Sequence, residues 1–376
     1  MKILFLTLKT FSASSAIEKV CRVAGRAMYE YTIASREEFT MHSMHDPEKI
    51  NTHPYLPSNI FKGFAAAKAK FAIKSVQEGV KSRVVVLGHI NLLLPGYLIK
   101  LLSPKTKLII IAHGIEVWEP LSPFKKKMLK RMDIIMPVSN FTKEKMKTLI
   151  EIPEEKFAVP ANCLDPFLPV PSSESRRHEF RSSYGFSDDD TVLMTLSRLS
   201  TKEKNKGYDK VLFAVKKLHA SFPHLKYLLV GKYEDEEKIR LENVVHDLGI
   251  EYAVTFTGFV PDSVIGDYYN MADVCILPGE KESFGISFIE ALYYKKPVIA
   301  GMGEDIPDNF YGVGPGTLID FRNQEDITVT IQKIITNVNA FIPDSKLVIE
   351  KFSYPVYKNN WKKVLDESAG GTVHSL

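Results

Sequence analysis

The sequence predicts an α/β protein of two doubly wound domains, and three observations lead to this prediction. Short apolar runs alternate with amphipathic helical stretches along the whole chain, which is typical of βα units around parallel sheets. The 376 residues, 45% of them hydrophobic, are enough to form two cores of ordinary size. A segment rich in proline and serine, DPFLPVPSSESRR at 165–177, predicts a linker between two series of such units.

Nine apolar runs are predicted to be strands. They lie at 2–8, 83–88, 107–113, 133–139, 191–197, 226–231, 254–258, 273–278 and 296–301. Between the first two runs, apolar side chains recur at helical spacing at Ile17, Val20, Cys21, Ala24 and Met28. We therefore expect domains at 1–168 and 178–350 that face each other across a cleft, with ligands at the carboxyl ends of the strands.

Composition argues against several classes of protein. No window approaches the ~20 unbroken apolar residues of a membrane span. The start, MKILFLTLKT, is interpreted as a first strand because no long apolar region or small-residue cleavage site follows it, so a cytoplasmic location is expected. The three cysteines, Cys21, Cys163 and Cys275, are far apart and predict neither a disulfide framework nor a zinc site. They are expected to be small buried side chains.

Positive charge is concentrated in the first half of the chain. Residues 1–165 hold 25 Lys and Arg against 15 Asp and Glu, whereas the rest hold 24 against 30. Two stretches stand out, FKGFAAAKAKFAIKSVQEGVKSR at 61–83 and PFKKKMLKR at 123–131, and the first resembles a basic amphipathic helix. Either a solvated helix face or a surface that meets anionic lipid accounts for them. Nucleic acid is disfavoured, since no recognised binding module accompanies the charge.

The segment after the strand at 191–197 carries cations. Arg198 follows the strand directly, and Lys206-Gly207 precede a helix. A guanidinium and an ammonium at the carboxyl end of a strand suit a diphosphate, because arginine offers a planar fork and lysine a point charge. A charged surface loop is the alternative, since Lys202 and Lys204 lie nearby.

The stretch KESFGISFIEALYYKKPVIAG at 281–301 follows another strand. Gly285 allows a ligand to approach the backbone closely, and the free N–H groups of a helix that begins near Ile286 favour an anion or sugar hydroxyls. Glu282 lies in the loop, and Glu290, one turn into the helix, can accept two hydrogen bonds from a vicinal diol such as a ribose. Together with the upstream cations, these groups predict a site for a sugar nucleotide.

These motifs resemble those of the retaining glycosyltransferases of the GT-B fold, family 4, also described as glycosyl transferases group 1. That family's donor domain carries E-x7-E with Phe-Gly after the first glutamate, and then a PVI strand. The matching positions here are Glu282, Phe284, Gly285, Glu290 and 297–299, with SRL…KG, LLVG and FTGFV upstream at 197–207, 228–231 and 256–260. The resemblance extends from the first strand to about Leu365.

The resemblance implies roles for individual residues. Arg198 and Lys206 would hold the donor diphosphate, Glu282 would lie by the donor sugar, and Glu290 would hold the ribose. The donor contacts would be completed by Gly231, Phe259 beside the base, and the backbone of Ser283, Phe284, Gly285 and Ile286.

In the first domain the resemblance implies an acceptor site. By chemistry alone a single histidine after a strand, here His113, is more often structural, but in the family a histidine there lines the active centre. The helix at about 352–376 would cross back to the first domain. One departure concerns the first loop, where relatives have a Gly-Gly pair and this chain has Ser15-Ala16.

The activity implied is transfer of a sugar, with retention, from a UDP- or GDP-sugar to an acceptor hydroxyl, without a metal. A saccharide or lipid-linked acceptor, in surface polysaccharide or glycolipid assembly, would fit a protein that is peripheral on the inner face of the cell membrane. The alternative left open by Ser15-Ala16 is a catalytically degenerate GT-B protein that only binds nucleotide sugars. A nicotinamide-dependent oxidoreductase is disfavoured, because TLKTFSASSA after the first strand has no glycine.

Overall fold

The computed structural model describes residues 2–13, 15–280, 285–302 and 316–368, except for the side chain of Lys204. The chain divides into two compact units, Met1–Phe167 with Phe352–Leu376, and Leu168–Lys351. Each unit is built around one six-stranded parallel sheet.

The strands of the two sheets fall in the two halves of the chain. In the first unit they are β1 (Lys2–Thr7), β2 (Glu38–Ser43), β3 (Phe61–Gly63), β4 (Val84–Leu87), β5 (Lys107–Ala112) and β6 (Ile134–Pro137). In the second unit they are β7 (Thr191–Leu196), β8 (Leu225–Val230), β9 (Val254–Gly258), β10 (Val274–Leu277), β11 (Val298–Gly301) and β12 (Gly316–Ile319). All nine predicted strands are present, with ends within one or two residues of the prediction.

Most of the helices lie between strands, and α12, α13 and α14 follow the last strand. They are α1 (Ala16–Ser35), α2 (Lys68–Gly79), α3 (Leu93–Leu102), α4 (Ile115–Trp118), α5 (Pro123–Leu129), α6 (Asn140–Leu149), α7 (Glu174–Ser183), α8 (Tyr208–His219), α9 (Asp235–Leu248), α10 (Ile265–Met271), α11 (Ile286–Tyr293), α12 (Gln324–Thr336), α13 (Ser345–Phe352) and α14 (Tyr354–Ser368). None of the helices in the described ranges combines the length and the apolar composition needed to cross a bilayer.

Both sheets have the same doubly wound strand order. The first runs β3-β2-β1-β4-β5-β6 and the second β12-β11-β10-β7-β8-β9, so in each the first strand pairs with the fourth. The central strands β1, β4, β7 and β10 are buried except at Lys2, Thr191 and Leu196, because parallel strands with helices on both faces have no side open to water. The predicted fold class of two doubly wound α/β domains is confirmed.

Each unit has its own apolar core. In the first, Leu4, Val85 and Ile110 belong to one buried cluster, and in the second, Leu212 and Ile276 belong to another. Fully burying such a side chain contributes roughly 2 kcal/mol relative to leaving it exposed. The three cysteines are buried and unpaired, as predicted.

The prediction of one basic helix over 61–83 is wrong at its start. Residues 61–63 form the edge strand β3, and the helix α2 begins only at Lys68. Phe64 and Phe71 are buried in the core, and Lys70 pairs with Glu48 at 2.7 Å. The aromatic residues that suggested a lipid-facing helix are therefore core residues.

The C-terminal helix α14 packs on α1 within the first unit. Tyr31 Oη donates to Asp366 Oδ1 over 2.9 Å, and Lys358 Nζ lies 3.1 Å from Glu30 Oε2. Trp361 is fully buried. Ion pairs at the exposed rim are worth under about 1 kcal/mol, so burial of the apolar face of α14 supplies most of this contact.

The end of α11 has a left-handed residue that is not glycine. Lys295 has φ 58°, and its N–H donates to Leu292 O while the N–H of Lys296 donates to Ala291 O. This is the Schellman arrangement, in which glycine is favoured because it has no Cβ. The helix α9 ends in the same arrangement with Gly249.

Replacement of Lys295 by glycine is expected to stabilise the protein. The exposed side chain loses no contact, and removing the Cβ strain should raise the free energy of unfolding by about 0.5–1 kcal/mol. Urea unfolding of Lys295→Gly against the parent measures this change. Gly249→Ala is the matched control and should be destabilising; a Lys295→Gly variant less stable than the parent contradicts the prediction.

A buried histidine predicts a pH dependence of stability. His42 in β2 is buried, with its Nδ1 3.2 Å from Ser75 Oγ. Burial, followed by the positive charge of Lys62, lowers the pKa of His42 from 6.5 to about 4, against a smaller opposing effect of Glu78. The unfolded chain therefore binds a proton between these pH values that the folded chain does not, and stability falls as the pH is lowered through this window.

In the variant His42→Gln this loss should be smaller. Between neutral pH and about pH 4 the parent should lose about 3 kcal/mol more of its free energy of unfolding than the variant does. Denaturant unfolding of both proteins across the range measures the difference. Parallel curves for the two proteins would show that His42 does not titrate as proposed.

Candidate functional site

The strand order marks one place in the second unit. Strand β7 pairs with β10 on one side and with β8 on the other. After β7 the chain forms β8 on one side of this pair, and after β10 it forms β11 on the opposite side. In doubly wound sheets, ligands bind in the crevice beyond the carboxyl ends of such a strand pair. The segments to consider are therefore those that follow Leu196 and Leu277.

Arg198 follows β7 and lies near the surface. Its side chain is 60% exposed, and Nη2 lies 2.7 Å from Glu234 Oε1. Glu234 also accepts a hydrogen bond from Ser200 Oγ over 2.8 Å. The bonds from Ser200 and Arg198 hold the pKa of Glu234 below its ordinary value. The guanidinium is thus oriented by a carboxylate and remains open to an anion.

Lys206 lies where the loops after β7 and β10 meet. Glu280 N donates to Asn205 O over 2.8 Å, and the backbone of Lys206 lies beside Gly279. Gly207 has φ +70°, and a Cβ there would come within 2.7 Å of the Pro278 carbonyl oxygen. Only glycine permits this approach without displacement of one loop, so it fixes the position of Lys206 at the crevice.

Gly231 ends β8 against the same loop. A Cβ at Gly231 would overlap the carbonyl oxygen of Ser197, and its N–H donates to Gly258 O over 3.1 Å. Phe259, which follows, is 59% exposed. The carboxyl ends of β7, β8 and β9 therefore lie side by side, with an aromatic side chain accessible at this edge.

The helix α11 begins beyond β10. Gly285, with φ +69°, is its N-cap residue, and Ile286 is its first residue. Glu290 is buried, and its Oε2 accepts a hydrogen bond from Tyr269 Oη over 2.9 Å. Burial and the neighbouring Glu290 raise the pKa of Tyr269, which keeps the phenol a donor.

Not all predicted donor residues can be placed. Glu282, Ser283 and Phe284 lie outside the described residues. The structure brings the segments of Arg198, Lys206, Gly231 and Phe259 to one edge of the sheet. Sequence reasoning missed Tyr269, because only the fold brings it to Glu290.

In the first unit, a buried carboxylate holds the loop after β1. Asp46 is fully buried and accepts hydrogen bonds from the N–H groups of Thr10 at 2.7 Å, Phe11 at 3.2 Å and Ser12 at 2.9 Å. Ser43 Oγ donates to it over 2.7 Å. These donors stabilise the buried carboxylate. No sequence pattern indicated this role of Asp46.

Ser15 and Ala16 begin a helix rather than an open loop. Ser15 is the N-cap of α1, and its N–H donates to Glu18 Oε2 over 3.1 Å in a capping box. Ala16 is the first residue of α1. The position of the relatives' Gly-Gly pair is therefore an ordinary capped helix start. The carboxylate of Glu18 accepts the hydrogen bond of the Ser15 N–H, so this N–H is not available to a ligand.

His113 follows β5 and lies beside a second histidine. His113 is buried, and its Nε2 lies 2.8 Å from Gly88 O, so this nitrogen carries the proton. The ring of His89, which follows β4, lies 6.3 Å away, and its Nδ1 accepts from Asn91 N over 3.0 Å. Burial lowers the pKa of His89. Sequence reasoning missed His89, although Gly88-His89 ends one predicted strand just as His113-Gly114 ends the next.

Comparison with known proteins identifies the second unit. Residues 176–343 match the family model of the glycosyl transferases group 1. The chain is 25% identical over 225 residues to an uncharacterized glycosyltransferase of Methanocaldococcus jannaschii, covering 58% of this chain and 56% of the relative.

A second relative has a named activity. A GDP-mannose-dependent alpha-(1-6)-phosphatidylinositol monomannoside mannosyltransferase of Mycolicibacterium smegmatis is 26% identical over 243 residues, which is 61% of each chain. The matches thus span about three fifths of the length of these curated relatives.

A solved structure shows the same fold. The structure of Anabaena HepE, solved in complex with UDP and glucose, has a TM-score of 0.81 and 18% identity, and the match covers 98% of this chain and 100% of HepE. The predicted resemblance to GT-B glycosyltransferases is confirmed by the family model, the relatives and this fold. The chain thus has the GT-B fold, and its residues 176–343 match the glycosyl transferases group 1.

Proposed function

We propose that this protein transfers a sugar from a nucleoside diphosphate sugar to an acceptor hydroxyl, with retention at the anomeric carbon. One observation carries the proposal: the loop with Lys206 and the loop after β10 are held together at the β7–β10 crevice. Arg198 follows β7, the strand from which the loop with Lys206 continues. This places two cations where a doubly wound sheet binds its ligand.

The donor is proposed to be a UDP- or GDP-sugar. HepE was solved with UDP and glucose, and the mycolicibacterial relative uses GDP-mannose. The exposed Phe259 at the end of β9 supports a contact with the base, and Glu290 would accept hydrogen bonds from the ribose. The hydrogen bond from Tyr269 Oη to Glu290 Oε2 would orient that carboxylate.

The protein's own groups would stabilise the leaving group. As the bond to the anomeric carbon breaks, negative charge grows on the diphosphate. Arg198, Lys206 and the N–H groups at the start of α11 would meet this charge, and groups fixed in advance stabilise it most effectively. We therefore propose a metal-independent reaction, with Glu282 orienting the donor sugar.

The acceptor is proposed to bind at the carboxyl edge of the first sheet. His113 lies there, beside His89 and close to the end of β4. We propose that His113 contacts the transferred sugar and that the acceptor is a saccharide or a lipid-linked saccharide of surface polysaccharide or glycolipid assembly. The mycolicibacterial relative, by its name, acts on a phosphatidylinositol mannoside.

A second candidate is a protein that binds nucleotide sugars without turnover. The capped helix start at Ser15-Ala16 favours it, because the capping box occupies backbone donors that a Gly-Gly loop would leave for a ligand.

A donor screen is expected to separate these two functions. Thermal unfolding with UDP-, GDP- and ADP-sugars should show one class that raises the melting temperature by several degrees at saturation. The same class should release nucleoside diphosphate when acceptors are added. Stabilisation without release on any acceptor supports the binding protein, and no stabilisation by any of the three contradicts both functions.

Lys206→Ala is expected to impair transfer selectively. Loss of one preorganised cation facing the leaving diphosphate should lower kcat/KM by about 10²–10³-fold. Lys202→Ala is the matched control, since Lys202 is an exposed lysine of the same loop, and its kcat/KM should stay within about twofold of the parent. Equal activity of Lys206→Ala and the parent, at equal thermal stability, would remove Lys206 from the proposed site.

A further inference from the structure

The helix α3 is apolar on the face that meets water. Leu94, Leu98, Leu101 and Leu102 are 49%, 39%, 55% and 69% exposed. Their spacing of four, three and one residues places them on one side of the helix. The opposite side, with Leu93 and Ile99, is buried. We call these four exposed residues the leucine face.

The neighbouring helix α5 extends this surface. Phe124 is 54% exposed, and its ring meets Tyr97 of α3 edge to face, with centroids 6.4 Å apart. Phe124 is thus joined to α3 through Tyr97, which precedes Leu98 directly. Patches of this kind on a monomer usually mark an interaction site.

Exposed positive charge lies near the leucine face along the chain, although Lys100 and Lys107 pair with Asp133. Residues 91–131 contain eight lysines and arginines but only two glutamates. Lys127, Lys130 and Arg131, in and after α5, are exposed, and Lys130 Nζ lies 3.8 Å from Oε2 of the exposed Glu151. Lys105, three residues after the leucine face, is exposed as well. The charge thus adjoins the apolar surface on both helices.

We propose that the leucine face and Phe124 dock this protein on the surface of an anionic lipid bilayer. Apolar side chains would enter the boundary between headgroups and acyl chains, as in helices that lie in a membrane interface. The lysines around them would attract anionic headgroups. A second copy of the chain is a poorer occupant, because it presents the same positive charge.

The position of α3 connects this surface with the acceptor. Only Ile90, Asn91 and Leu92 separate His89 from the start of α3, so Leu94 lies near the edge of the sheet that carries His89 and His113. Docking would bring this edge to the headgroup layer. This link to a lipid-linked acceptor rests on the proposed function, whereas membrane binding itself does not.

Vesicle sedimentation tests the docking surface. The parent should bind vesicles of an equimolar phosphatidylcholine–phosphatidylglycerol mixture more tightly than phosphatidylcholine alone, and less tightly as salt is raised. The variant Leu98→Gln/Leu101→Gln should bind the mixed vesicles about tenfold more weakly at either salt concentration. Lys127→Gln/Lys130→Gln should lose mainly the salt-dependent part.

Control variants keep the test specific. Ile239 in α9 and Val329 in α12 are 58% and 50% exposed, and Ile239→Gln/Val329→Gln should bind vesicles like the parent. Unchanged melting temperatures would show that each variant folds. The proposal is overturned if the leucine variant binds like the parent, if the parent binds neither vesicle at low salt, or if the leucine variant changes only the oligomeric state.

The vesicle-binding test is independent of whether the protein transfers sugar. Release of nucleoside diphosphate with a water-soluble acceptor should be the same in the leucine variant and the parent, since no residue of the leucine face is placed at the donor or acceptor site. Vesicle binding without any turnover supports the docking surface and argues against the proposed function. Turnover without vesicle binding supports the proposed function and argues against the docking surface.

Discussion

The pairing of the first strand of each sheet with its fourth is the constraint on which the candidate site depends. In the second unit this pairing joins β7 to β10, and in the first it joins β1 to β4. Each pair carries its loops to the same edge because the strands are parallel. Residues far apart in sequence, such as Lys206 and Gly279, become neighbours for this reason alone.

The two units hold these loops by different physical means. In the second unit, the loops contact each other through backbone atoms. Gly207 and Gly231 allow carbonyl groups of neighbouring loops to approach where a side chain would not fit. In the first, the buried carboxylate of Asp46 gathers the N–H groups of the β1 loop. Leaving a buried polar group unpaired costs about 1–3 kcal/mol, so loss of any of these hydrogen bonds would destabilise this loop.

Much of the fold could be predicted from the sequence, because buried parallel strands are continuous apolar runs. The strands β2, β3 and β12 were missed: β2, EFTMHS, contains polar residues, β3 has only three residues, and β12, GTLI, begins with glycine and threonine. Of the site, the cation-bearing segments were recognised by motif. Tyr269, Asp46 and the exposed leucines of α3 were not, since burial and exposure at these positions are decided by neighbouring elements.

The hydrogen bond from His113 to Gly88 has a consequence for recognition. The carbonyl of Gly88 only accepts, so it fixes the proton of the neutral ring on Nε2. The other nitrogen, Nδ1, is then an acceptor, and a sugar hydroxyl that meets it has to donate. The ring is also oriented before any ligand arrives, which spares binding the entropy of ordering this side chain. In the proposed acceptor site, the carbonyl at the end of β4 would thus require a ligand hydroxyl to donate its hydrogen bond to His113.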